Sequence, residues 1–125
     1  MFVVTQNPTF VAPVVAKIPR DNGRFESIKF SVIFKALDKE AVDEMLKEIR
    51  SRAKEAALDA DVTPLKDRDV LDQLLVGFGP DLVEEDRTPM VFNAANVDRL
   101  CKIWPIEPAI VKSFFDNYIH GPAKN

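Results

Sequence analysis

The chain has 125 residues, 46% apolar and 30% charged, with a formal net charge of −3. That length fits a single domain over residues 1–125, and that composition supports a packed core rather than disorder. The one cysteine and one histidine exclude an intrachain disulfide and a cysteine zinc cage, and they leave little from which to build a transition-metal site.

Residues 1–37 read as β-rich. Phe10 to Ala16 is a strand, and Pro13, which cannot donate to a ladder, places it at an edge or a bulge. Asn22-Gly23 tolerates positive φ at both positions and predicts a hairpin turn. A second strand follows from about Arg24 to Ala36. Ile28, Phe30, Val32 and Phe34 form its apolar face, while Lys29, Ser31, Ile33 and Lys35 form a mostly wet one.

A central helix is expected over 38–58, capped by Asp38. Its apolar stripe is Val42, Met45, Leu46, Ile49, Ala53 and Ala56, and the simplest packing lays that stripe on the hairpin. Asp43–Lys47 and Glu48–Arg52 are spaced as i,i+4 ion pairs. Residues 63–121 read as a helical C-terminal part. One helix starts at Thr63-Pro64, carries Val70, Leu71, Leu74 and Leu75, and stops near Gly77. Residues 78–92 form an acidic loop or loose hairpin. A short helix capped by Asn93 carries Val97, Leu100, Cys101 and Trp104, with Pro105 and Pro108 breaking it. A last helix carries Ile110, Val111, Phe114, Phe115, Tyr118 and Ile119 and ends at Gly121-Pro122. The fold class is therefore α+β: an antiparallel hairpin or small sheet packed on a long central helix, followed by a bundle of short helices.

Charge is distributed unevenly. Residues 1–37 carry five basic and two acidic side chains, and residues 59–87 carry three basic and nine acidic ones. Nucleic-acid binding needs a clustered cationic face, which this balance argues against. No apolar run approaches the length of a membrane span. Pro8 and Pro13 interrupt what would be the apolar core of a secretory leader. His120 reads as a helix C-terminal residue and Cys101 as core packing, so no nucleophile–base pair is expected. Asp81, Glu84, Glu85 and Asp86 lack calcium-loop spacing, and no phosphate loop is present. No catalytic residue, metal or cofactor is expected. What remains is interaction chemistry. Phe78, Trp104, Phe114, Phe115 and Tyr118 are the candidate partner anchors, and Glu84 and Glu85 are candidates for steering a basic partner.

One order of elements carries a resemblance. Leu74-Leu75-Val76-Gly77-Phe78 closes a helix and leads into the acidic loop. Pro89-Met90-Val91-Phe92-Asn93 opens a short helix, a proline-bearing break follows, and Ala109-Ile110-Val111-Lys112-Ser113-Phe114-Phe115 forms the terminal helix. Over roughly residues 68–120 this resembles the tail assembly chaperones of long-tailed phages and prophages. Phe78 stands where that family often has Trp, and Asn93 where it often has Ser. The resemblance implies a non-enzymatic protein that binds the tape measure protein and keeps it soluble until tail tube subunits polymerise around it. The tail tube protein is a further possible partner, and homo-oligomerisation is compatible with an edge strand and end helices. It also implies action in the cytoplasm of the infected or lysogenic bacterium and absence from the mature virion. The alternative within the same setting is a structural tail component, a tube or completion protein.

Overall fold

A computed structural model describes residues 8–64 and 66–119. His120, Gly121-Pro122 and the residues after them lie outside that range, as do Met1 to Asn7. The described elements are β1 (Thr9–Pro19), β2 (Phe25–Lys35), α1 (Lys39–Leu58), α2 (Asp67–Leu74), β3 (Leu75–Phe78), α3 (Ala94–Cys101) and α4 (Ile106–Phe114). A π turn over Phe115–Ile119 continues α4. The class is α+β, with an antiparallel sheet of order β1-β2-β3 and four helices.

The hairpin turn is the one the sequence predicts. Asn22 (φ 63°) and Gly23 (φ 73°) take left-handed conformations, and the Arg20 N–H donates to the Arg24 carbonyl at 2.8 Å. β1 is an edge strand and Pro13 lies opposite Ser31. The Ser31 N–H and C=O both point away from β1, to Asp81 Oδ1 (2.8 Å) and the Gly79 N–H (2.8 Å). Pro13 therefore occupies a pair whose backbone groups face outward, where a missing N–H costs the ladder nothing.

The helix closing at Gly77 is corrected. α2 begins at Asp67 rather than Thr63, with the Asp69 carboxylate accepting from the Lys66 N–H at 3.1 Å. It ends at Leu74, and Leu75–Phe78 turns into β3 beside β2. Two glycines make the pairing close. A Cβ on Gly77 would meet Ile33 Cδ1 at 3.1 Å, and one on Gly79 would meet Ser31 Cβ at 2.7 Å and the Ser31 carbonyl at 2.9 Å. Beyond Gly79, Asp81 prolongs the ladder by accepting from the Ser31 N–H and hydroxyl.

The stripe of α1 does not cover the hairpin, which corrects the expected packing. No residue of α1 is buried, and only Met45 and Ile49 touch the core cluster. The hairpin's inner face, with Ala12, Val14, Phe30, Val32 and Phe34, is covered instead by α4 through Ile106, Ile110 and Phe114. α4 holds that face with these three side chains almost wholly buried, and burial free energy scales with apolar area. The Phe114 ring is edge-on to Phe34 at 5.3 Å, and Phe10 stacks on Tyr118 at 4.7 Å. Among the described residues, neither Asp43–Lys47 nor Glu48–Arg52 closes as an ion pair.

Two smaller corrections concern prolines and tryptophan. Pro108 lies in the first turn of α4 rather than in a break. First-turn N–H groups have no intrahelical partner, so proline is tolerated there. α3 stops at Cys101, and Trp104 lies beyond its end. The Asn93 cap is found, accepting from the Asn96 N–H at 2.8 Å.

Phe114→Ala should lower the unfolding free energy by about 3–5 kcal/mol, the usual cost of a large core cavity. Gly79→Ala should cost about 1–3 kcal/mol through forced backbone displacement. Urea denaturation of the two variants checks both.

Candidate partner-binding surface

The seven side chains singled out from the sequence are not gathered on one face. Phe114 has no accessible surface and cannot be touched by a partner, which corrects its assignment as an anchor. Phe115 is half-buried with its ring edge-on to Phe114 at 5.7 Å. Tyr118 is half-buried, stacked on Phe10, and its hydroxyl donates to the Leu37 carbonyl. These rings tie α4 and its π turn to the sheet. Phe78 is half-buried and edge-on to the exposed Phe92 at 5.1 Å. Trp104 is 70% exposed and next to exposed Ile103, so it remains available to a partner.

The acidic segment forms a loose hairpin, as one of the two sequence readings has it. The Glu84 N–H donates to the Thr88 carbonyl (2.8 Å) and the Met90 N–H to the Leu82 carbonyl (2.9 Å). Glu84 is spent internally. Its two oxygens accept from the Arg99 guanidinium at 2.9 and 3.1 Å, pinning the hairpin to α3. That hydrogen-bonded pairing holds the Glu84 carboxyl below the usual carboxylate range, and bonds from Thr88 do the same for Asp86. Glu85 is exposed. Under the hairpin lies a hollow of 270 Å³ lined by Ile18, Ile28, Leu82, Met90 and Ile103, with Glu84 and Arg99 also lining it.

A different surface stands out once the sheet is in place. In a two-layer fold, the sheet face away from the core normally alternates to polar residues. Here Val11 and Val15 are 64% and 56% exposed and Phe25 is 64% exposed, all at outward positions of the hairpin. Ile33 pairs with Val11 on β1 and with Gly77 on β3. The cations on this face are Lys17, Lys29 and Lys35, and no outward position of β1 or β2 is acidic. The signal was present in the sequence as Val11, Pro13 and Val15 alternating with Ala12, Val14 and Ala16. A run apolar at every position looks like a fully buried strand, so one-sided exposure could not be read from it.

Cys101 is half-buried beside Glu107. Burial, reinforced by that carboxylate, pushes its thiol up to about 11. It is therefore protonated and a poor nucleophile at neutral pH. Arg68 is held in its charged state by Asp72 (2.7 Å) and Asp98 (2.5 Å), which links α2 to α3. Among the described residues, no group of three or more His, Cys, Asp or Glu side chains could hold a metal ion, and no helix is long and apolar enough to cross a membrane.

Fold and surface together define a small α+β protein whose distinguishing feature is an exposed apolar, lysine-rimmed sheet face. The family model for phage tail assembly chaperones matches residues 1–125, the whole chain, and the protein belongs to that family. Neither the curated proteins nor the solved structures contain a match.

The Cys101 shift has a fixed sign. Because the folded thiol titrates above its ordinary value of 9.0, its contribution to stability is intact below that value and is lost as pH rises toward the folded pKa. Alkaline denaturation series of the wild type and Cys101→Ala should therefore diverge above about pH 9, with the wild type losing stability more steeply.

Proposed function

We propose that this protein binds the tape measure protein during tail assembly and keeps it soluble, through the outer face of the sheet. Membership of the tail assembly chaperone family gives the setting. The observation that carries the reading is the outer face with Val11, Val15, Phe25 and Ile33. A protein that shields aggregation-prone segments needs exposed apolar side chains, and patches of them mark interaction sites. The lysine rim selects segments with acidic margins, since complementary charge steers encounter and rejects wrong partners. No catalytic step is involved. The protein acts in the host cytoplasm before the tail tube protein closes around the tape measure, and is then left behind.

Co-expression with the tape measure protein of the same gene cluster tests this. The wild type should bring the partner into the soluble fraction and co-purify with it. Val11→Glu with Val15→Glu, both at exposed positions, should weaken capture about tenfold or more while leaving the fold intact by circular dichroism. Undiminished capture would sink the sheet face as the site. Detection of the protein in purified virions would instead favour a tube or completion protein.

A further inference from the structure

α1 is a helix of twenty residues with no buried side chain. On one flank Met45 touches the core and the Arg52 guanidinium reaches the Thr63 carbonyl at 3.3 Å. The other flank carries Val42, Leu46, Ile49, Ala53 and Ala56. Their spacing of four, three, four and three residues is that of a coiled-coil seam. Val42 and Leu46 are half-buried yet do not join the core cluster, Ala53 is exposed, and only Ile49 also reaches the core. A helix face with this spacing is built for another helix.

Charge selects which helix. Residues 38–48 carry five acidic and two basic side chains, and residues 49–58 carry one acidic and three basic. The helix is complementary to itself only when reversed. We propose that α1 pairs antiparallel with α1 of a second copy of this chain. In an antiparallel seam Leu46 sits on Ile49 of the second copy and Val42 on its Ala53, over an overlap of about 27 Å. The flanking positions then place Asp43 beside Arg50 of the second copy, twice by symmetry. Asp43 and Arg50 are both exposed, and among the described residues neither forms an ion pair within the chain. The seam lies on a helix apart from the outer sheet face, so the pairing stands independently of the proposed tape measure site.

Sedimentation equilibrium of the full chain tests the proposal. The mass should rise from 14.1 kDa toward twice that value between about 1 and about 100 µM, with weaker association at high salt. Leu46→Glu should abolish the rise. Asp43→Arg and Arg50→Asp should each weaken association about tenfold, and the double variant should restore it. In a Cys101→Ala background, Asp43→Cys chains should cross-link to Arg50→Cys chains and not to one another. A monomer throughout, a dimer indifferent to Leu46→Glu, a double swap that fails to restore pairing, or Asp43→Cys self-cross-linking would each overturn the proposal.

Discussion

Phe114, without accessible surface, lies edge-on to Phe34 from β2 and within ring contact of Phe10 from β1, Phe115 and Tyr118. Everything else is arranged around this clamp between the C-terminal helix and the N-terminal hairpin. It sets α4 across the inner face of the sheet, and α2 and α3 pack against α4 in turn. With α4 on that inner face, α1 stays off it and none of its residues is buried.

Local chemistry was legible in the sequence wherever one residue type decides the outcome. Asn22-Gly23 makes the turn, Asp38 and Asn93 make their caps, and the alternation from Ile28 to Phe34 identifies the inner face. Non-local competition was not legible. Two amphipathic helices, α1 and α4, were both able to cover the hairpin, and periodicity does not rank them. The strand Leu75–Phe78 was hidden for a related reason. It is four residues long and directly continues a helix with the same apolar character, so only its pairing with β2 separates the two. Gly77 within it and Gly79 just after it were the available clue, since each lies against a side chain or carbonyl of β2.

The candidate surface was displaced in the same way. Aromatic residues near the C-terminus read equally well as core or as anchors, and the clamp takes most of them as core. Trp104 alone among them stays well exposed. The acidic hairpin, which looked like a steering element, invests Glu84 in Arg99 and Asp81 in Ser31, both structural bonds. The sheet's outer face fits a chaperone of tail assembly better. The core supports it from behind, and Val11, Val15 and Ile33 are β-branched, so they lose little rotamer entropy on contact.

The Ser113 hydroxyl donates to the Pro13 carbonyl at 2.5 Å, across a separation of one hundred residues. Proline removes a donor from the outer rim of β1 and serine occupies the acceptor beside it, so strand addition is interrupted at mid-edge. The order of synthesis gives that bond a further meaning. The hairpin is made before α4, and its inner face and its rim are closed only when Ser113 and Phe114 have been translated. Until then the hairpin's apolar inner face is without its cover. Completion of this fold accordingly waits on long-range closure.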